Sequence, residues 1–372
     1  MYGETYLVER ITRALAVPNK GGRTGPLTVG IGDDAAALRV APGRELVLSC
    51  DAFLEGVHFL RGVHPADSVG YKALARAVSD LAAMGAEPTF FFLTLALPGE
   101  LAGAWLDDFL AGMRRASREL GIVLAGGDTS QFPKVAISLT VLGEVAAKRA
   151  AKRSGAHPGD LLYVSGRLGG AQLGLELIRK LSPRTRSAFL DRPRKGTASA
   201  VPKMTQNPGV LTAEDKNSAV SLKCLLQPHL YPRIRLALGG WLASKRAASA
   251  MMDISDGLST DLARLCAASG VGARLTLDAI PQVRLSPEEI RLLKARGVKF
   301  DPLALALHGG DDYGLLFAVP PKRVALLKRA PGFADLRCIG EATTRRDRIE
   351  TADAKGQLRE LRPGGWDSFR AR

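Results

Sequence analysis

SVGYKALARAVSDLAAMGAEPTFFFLTLAL, residues 68–97, is the stretch on which the fold turns. Ser68 to Met84 is rich in alanine and carries its apolar residues at helical spacing. After a Gly-containing break, Thr89–Leu97 is an apolar run of strand length, with no alternation, and reads as a strand buried on both faces. A helix feeding a buried strand predicts a layered sheet with helices packed on it. The same pattern extends in both directions. A first helix is expected at about Thr5–Leu15, then strand-like segments at Leu27–Leu38 and Glu45–Asp51. Downstream, Ala104–Leu120 has helical spacing and Val135–Val145 is another strand, so this half reads β-β-α-β-α-β.

A turn at His157-Pro158-Gly159-Asp160 marks a second unit. Asp160–Ser165 is a strand, and glycines from Gly166 to Gly170 open a helix running to about Lys180. Periodicity then fails from Pro183 to Lys223, a stretch with four prolines, which reads as a flexible insertion. Regular structure resumes near Pro232. Strands are expected at Ala248–Ile254, Arg274–Leu277 and Tyr313–Val319, and helices at Leu258–Ser269, Pro287–Arg296 and Pro321–Lys328. The expected class is α/β and α+β in two domains, 1–148 and 149–372, with the insertion at 183–223 in the second.

Composition narrows the function. At 372 residues and 46% hydrophobic content the chain can bury a sizeable core. No apolar run reaches the roughly 18 residues of a membrane span, and Met1–Arg10 has no apolar signal core, so the cytoplasm is the expected location. Four dispersed cysteines make no CxxC pair, which argues against a zinc site or a disulfide framework. The net charge is +15. Eight Lys/Arg against three Asp/Glu fall within 183–223, and the remaining charge forms no dense stripe. Aromatics are only 6%. Nucleic acid is therefore not the expected partner, whereas a positive field suits anionic small molecules such as nucleotides.

The chemistry sits in aspartates beside glycine or at the end of apolar runs. Asp33 and Asp34 adjoin in Gly30-Ile31-Gly32-Asp33-Asp34, where two like charges call for a cation or solvent. Asp51 is expected at a strand end, with Glu55, Gly56, Val57 and His58 close behind. Asp80 shares a helix face with Ala73, Ala77 and Met84, which is costly for an unpaired charge. Gly126-Gly127-Asp128-Thr129-Ser130 reads as a turn in which paired glycines let the backbone approach a ligand. Asp253 and Ser255 alternate onto one face at a strand end, and Asp256 stands where a helix N-cap is expected. Gly309-Gly310-Asp311-Asp312 repeats the design. Singly, each has an ordinary reading: a solvated turn, a salt bridge for Asp80, a cap for Asp256. Together they suit magnesium, which takes one or two protein carboxylates and leaves its other positions to water and phosphate. Zinc prefers His and Cys. The P-loop and protein-kinase motifs do not occur, so a nucleotide would be held mainly through metal.

Ten strings, in order, resemble the thiamine-monophosphate kinase family of the aminoimidazole-ribonucleotide-synthetase-like superfamily. They are GIGDDAA (30–36), SCDAFLEGVHF (49–59), YKALARAVSDLAAMGAEP (71–88), GGDTS (126–130), RSGAHPGD (153–160), LYPRIRLALG (230–239), MDISDGLSTDL (252–262), GGDDYGLLF (309–317), IGE (339–341) and GWDSF (365–369). The resemblance implies the two-domain fold of that superfamily, with N-terminal sheets paired into a barrel in a homodimer. It implies magnesium-assisted transfer of the γ-phosphoryl group of ATP to thiamine monophosphate. It implies metal ligands at Asp34, Ser49, Cys50, Asp51, Asp80, Asp128, Asp253 and Asp256, with Asp33 a further candidate. Asp80, Asp128 and Asp256 would carry the catalytic metals. Gly127, Asp128, Arg153 and Ser255 would contact ATP. His58, Asp311 and Trp366 would face thiamine; the plain alternative for Trp366 is a tail anchor.

Three features depart from the family. Cys50 stands where Thr is usual, and Asp311 in GGDDYG where GGEDYE is usual, which shortens one acid and drops another. The third is the 183–223 insertion. Rival readings are another ATP-dependent enzyme of the superfamily and a non-catalytic nucleotide-binding or nucleic-acid-binding protein. A selenophosphate synthetase would place a nucleophilic Cys near the N-terminus, and the first cysteine here is Cys50. A hydrogenase-maturation relative would end in cysteine rather than Arg370-Ala371-Arg372. A synthetase of aminoimidazole ribonucleotide fits SDGLSTDL and GWDSF poorly. A pure binder would not require the whole set of acids.

Overall fold

The computed structural model describes residues 4–15, 27–31, 34–182, 185, 213–346 and 348–369. Helix α1 (Glu4–Leu15) precedes a short hairpin of β1 (Leu27–Val29) and β2 (Ala37–Leu38). Then come β3 (Arg44–Leu54), α2 (Ala66–Met84), β4 (Glu87–Leu97), α3 (Ala104–Leu120), β5 (Val123–Gln131) and β6 (Ala136–Ala146). The alanine-rich segment is helical because nothing in it opposes a helix beyond Gly70. It stops at Gly85, which takes a left-handed φ of 71° and returns its N–H to the carbonyls of Leu81 and Ala82.

These strands form a four-stranded sheet in the order β3-β6-β4-β5, antiparallel except for the parallel β4–β5 pair made by the α3 crossover. One face packs on α2 and α3 around Leu74, Phe91, Phe109 and Met113, all fully buried. Each such side chain contributes roughly 1.5–3 kcal/mol. Strand β3 alternates: Val47, Ser49, Asp51 and Phe53 face the helices, while Leu46, Leu48, Cys50 and Ala52 are exposed on the other face.

The second sheet has seven strands in the order β13-β12-β9-β11-β7-β10-β8. Its members are β7 (Leu161–Ser165), β8 (Ala250–Ile254), β9 (Gly272–Thr276), β10 (Gly314–Val319), β11 (Leu336–Thr343), β12 (Ile349–Ala352) and β13 (Leu358–Glu360). Helices α4 (Gly170–Lys180), α5 (Ala213–Leu230), α6 (Leu236–Ser244), α7 (Leu258–Ser269), α8 (Pro287–Ala295) and α9 (Pro302–His308) surround it. Strand β8 lies at the sheet edge, is buried throughout, and touches α2 of the first half. That contact is where the two sheets meet. Among the described residues no helix is long and apolar enough to cross a membrane.

Four expectations are corrected. Asp51 lies inside β3, three residues short of its end. Gly126–Ser130 is not a turn but part of β5; the paired glycines concealed a strand held by its partner β4. At Gly127 the backbones run so close that a Cβ would stand 1.9 Å from the Leu93 carbonyl oxygen, with φ at 154°. Within 183–223, residues from Ala213 onward are the first turns of α5, and Leu222, Leu225 and Leu226 bury against Leu173, Leu177 and Ile178. Residues 183–184 and 186–212 of that stretch lie outside the described residues. Finally, Pro321–Arg329 winds as a 3-10 helix rather than an α-helix.

Candidate active site

Lys72, Arg76 and Asp80 recur every four residues, with Ser79 three beyond Arg76, so α2 presents them along one polar side. That side faces β3 at one flank and β8 at the other. From β3, Asp51 accepts a 3.2 Å hydrogen bond from Arg76 Nε, and the Ser49 hydroxyl donates to Asp80. From β8, Asp253 accepts a 2.8 Å hydrogen bond from Ser79 Oγ. Burial raises the Asp80 carboxyl above its ordinary range, and nearby Asp51 adds to this. Asp253 is pushed up to about 7, first by burial and next by Asp80. Two partly desolvated acids, one of which raises the other, are a place where a cation is favoured.

Beyond β8, Ser255 and Asp256 form the turn into α7. The expected cap by Asp256 is not what occurs. Asp261, fully buried in the first turn of α7, accepts from the backbone N–H groups of Asp256 (3.0 Å) and Gly257 (3.1 Å). Asp256 instead pairs with Arg264 at 2.5 Å, and Arg264 also holds Asp261 at 2.9 Å. The chain end folds onto this turn: Trp366 N–H donates to the Asp256 carbonyl at 2.8 Å.

The Gly309-Gly310-Asp311-Asp312 segment is no solvated turn. Asp311 Oδ2 meets the Lys72 ammonium at 2.8 Å, and Oδ1 accepts from the Tyr313 hydroxyl at 2.7 Å. Burial alone would raise its pKa, but the Lys72 charge, with the hydrogen bonds from Lys72 and Tyr313, outweighs it and holds the carboxyl far below the usual range. Asp312 turns the other way and accepts from the N–H groups of Gly169 (2.6 Å) and Ala171 (3.2 Å), capping α4 from a distant segment. His58 takes the Leu54 N–H on Nδ1 at 3.0 Å. Burial and then Arg76 lower it to about 4. The imidazole is therefore neutral near pH 7, with its proton on Nε2.

One cavity of about 1360 Å³ joins these parts. Asp51, Asp80, Asp253, Asp256, Arg153, Ser255, His58, Asp311 and Trp366 all line it. Among the described residues no three His, Cys, Asp or Glu side chains converge into a ready-made metal cage. The fit to magnesium is of the looser kind, in which one or two carboxylates per ion leave positions for phosphate and water.

Comparison with known proteins now bears on this cavity. Residues 32–145 match the family AIR synthase related protein, N-terminal domain, and residues 227–351 match AIR synthase related protein, C-terminal domain. The thiamine-monophosphate kinase of Salmonella typhimurium is 35% identical over 84% of this chain and 83% of its own. The chain belongs to the thiamine-monophosphate kinase family. Among solved structures, the thiamine-monophosphate kinase of Stenotrophomonas maltophilia K279a is similar with a TM-score of 0.69 at 30% identity, covering 93% of this chain and 95% of its own. AaThiL complexed with AMPPCP and TMP is similar with a TM-score of 0.67 at 29% identity, over 98% of this chain and 96% of that one.

Of the residues that resemblance to thiamine-monophosphate kinases singled out, the cavity gathers nine. Ser49 sits behind them, on Asp80. Others lie elsewhere. Cys50 is on the outer face of its strand, its sulfur 3.7 Å from Ser138 Oγ and 3.6 Å from Thr140 Oγ1. Asp128 is exposed on β5, at the opposite edge of the sheet from β3. Neither Asp34 nor Gly127 lines the cavity. Asp33 falls outside the described residues. Several side chains of the site were missed: Lys72, Arg76, His64, His229, Asp261 and Arg264. A cation spaced four residues from Arg76 and eight from Asp80 on one helix was the available signal for Lys72.

Proposed function

We propose that this chain transfers the γ-phosphoryl group of ATP to thiamine monophosphate, giving thiamine diphosphate and ADP. The observation that carries the reading is a single cavity with an acid cluster, Asp80 and Asp253, at one part and an ionised, lysine-paired Asp311 at another. Such a cavity suits two phosphate-bearing partners of which one also carries a cationic ring. The acceptor phosphate is already largely ionised near neutral pH, so no strong general base is required. Arg153, with its fork of donors, grips phosphate oxygens. Ser255 and the backbone of its turn hold the nucleotide. His58 offers an Nε2–H donor, and Trp366 a ring face for the thiamine heterocycles. Asp311 faces the cationic thiazolium or the aminopyrimidine.

Magnesium, held by Asp51, Asp80, Asp253 and Asp256, supplies charge neutralisation between the two phosphates. Asp33, Asp34 and Ser49 remain proposed ligands, and Cys50 one through its main-chain oxygen only, since its thiol faces away. We place the domain division after residue 148: the first sheet ends at Ala146 and the second begins at Leu161.

We further propose a homodimer built on the first sheet. Strand β3 is an edge strand, and its outer face exposes Leu46 and Leu48, at 37% and 58% of their surface. An uncovered apolar edge favours pairing with a second copy. Asp128 and Gly127 would then serve the partner's cavity, because the sheet separates them from their own. Both substrates are multiply charged and do not cross a bilayer unaided, which supports a cytoplasmic location. The test is a purified sample given ATP, magnesium and thiamine monophosphate, with thiamine diphosphate read by chromatography. No product, or equal turnover of unrelated phosphorylated acceptors, refutes the reading.

A further inference from the structure

Behind Asp311 the structure holds a chain of buried polar groups drawn from three separate segments. Lys72 (α2), His229 (α5) and His64 (the segment before α2) are exposed by only 3%, 1% and 6%. Lys72 Nζ lies 2.8 Å from Asp311 Oδ2 and 3.2 Å from His229 Nδ1. His229 Nε2 lies 3.0 Å from His64 Nε2. His64 Nδ1 lies 3.2 Å from the Leu60 carbonyl oxygen and 3.1 Å from the Leu60 amide nitrogen. At Gly174 of α4 a Cβ would meet His229 Cβ at 2.9 Å, so glycine is what lets α5 bring this imidazole in.

The donors along this chain have one consistent direction. An ammonium only donates, so His229 Nδ1 accepts and its proton is on Nε2. His64 Nε2 then accepts from His229, which puts the His64 proton on Nδ1 with the Leu60 carbonyl as its acceptor and excludes acceptance from the Leu60 N–H, 3.1 Å from the same nitrogen. The charge is confined to Lys72 and Asp311. Breaking such a buried pair from one side is costly, because it strands the other charge. The acid itself is fixed twice more. Asp311 and Tyr313 both adopt left-handed φ, 68° and 48°, a conformation non-glycine residues seldom take. Their N–H groups are tied to the Ser255 and Ile254 carbonyls, each at 2.8 Å. Lys72 and Tyr313 each fill one lone pair of the carboxylate, and 32% of the side chain stays accessible toward the cavity. The groups facing Asp311 are thus Lys72 from α2, His229 from α5 and Tyr313 from its own turn.

We propose that Lys72, held in place by His229 and His64, is a specificity-determining positioning residue that fixes the Asp311 carboxylate in one orientation, so that the cavity selects an acceptor whose non-phosphate end is a cation or an N–H donor. This rests on the kinase reading above. The shorter acid at 311 suits the role: with both oxygens anchored, it presents a rigid anion and no rotating arm.

The test uses the full chain in two measurements. Nitrogen–proton correlation spectra near pH 7 report the imidazole tautomers directly. Nε2–H on His229 and Nδ1–H on His64 are expected; the reverse pattern, or either ring doubly protonated, overturns the network. Steady-state kinetics and calorimetry then read the role. Lys72→Met raises KM and Kd for thiamine monophosphate by roughly 10- to 100-fold, the loss of a charge-assisted hydrogen bond. The KM for ATP stays within about twofold. Asp311→Asn does the same, and the double variant is no worse than either alone by more than about twofold, since Lys72 acts through Asp311. His229→Gln, which keeps an acceptor for Lys72, retains most of the acceptor affinity, whereas His229→Leu behaves as Lys72→Met. Multiplicative effects, or equal losses for ATP and acceptor, overturn the assignment. A wild-type chain that binds thiamine monophosphate without phosphorylating it refutes the kinase reading, while the affinities still decide the network; one that does not bind it overturns both.

Discussion

Asp128 sets the sharpest test of the dimeric site. Across the first sheet, Asp51, Leu139, Leu93 and Gly127 form one register row, and Asp128 follows Gly127 on the opposite face. Three strand-to-strand steps of about 4.8 Å put the Gly127 end of that row roughly 14 Å from Asp51. Two oxygens on one magnesium ion, each about 2.1 Å from it, stand no more than about 4 Å apart. Asp128 therefore cannot share an ion with Asp51 of its own chain. If it acts, it acts in the cavity of a second copy. The perturbation is a heterodimer of one Asp80→Asn chain and one Asp128→Asn chain, isolated through two different tags. Each homodimer is expected to be inactive. In the heterodimer one cavity carries both lesions and the other none, so about half the wild-type rate per dimer returns. The assay is thiamine diphosphate formation with saturating ATP and magnesium. If the heterodimer is as dead as its parents, Asp128 acts within its own chain and the sheet argument fails; a monomer in sedimentation removes the premise altogether.

Asp80→Asn keeps an acceptor for the Ser49 hydroxyl but loses the charge. Turnover should fall by about 1,000-fold or more, with an unchanged or raised thermal midpoint because Asp253 loses a like-charged neighbour. Retained turnover would make Asp80 structural. Removing residues 186–212 should leave turnover within about threefold, whereas a deletion continuing to Lys223 cuts into α5 and the Leu222–Leu226 packing and should cost several kcal/mol of unfolding free energy. Equal stability of the two deletions would contradict the packing. Asp312 is pushed up to about 7 by burial, against an ordinary value of 3.8. The folded chain thus holds a proton that the unfolded chain has released, and stability falls as pH rises from about 4 to about 7, then levels. Urea unfolding should show that slope weakened in Asp312→Asn; identical slopes would mean Asp312 does not titrate in this window.

What could be read from the residues depended on whether a pattern was local. The helix 66–84 and strands β4 and β6 were legible because alanine spacing and apolar runs report on their own burial. Asp80 was legible for the same reason: a carboxylate on an apolar helix face has few explanations. Strand β5 was not, since Gly126-Gly127-Asp128 has the composition of a turn and becomes a strand only through β4. Helix α5 was hidden by the unpatterned stretch in which it begins, and with it His229. Asp256 was read as a cap because it stands at the right position, yet Asp261 five residues on does that work, which leaves Asp256 facing the cavity. Lys72 shows the limit most clearly. In sequence it is one polar residue in a helix; its burial is tolerable only because Asp311, 239 positions away, arrives as its counter-charge. A site made of such pairings is a property of the closed fold. The acids that chemistry demands can be found one at a time, while the residues that hold them ionised and aimed become visible only when the two sheets meet.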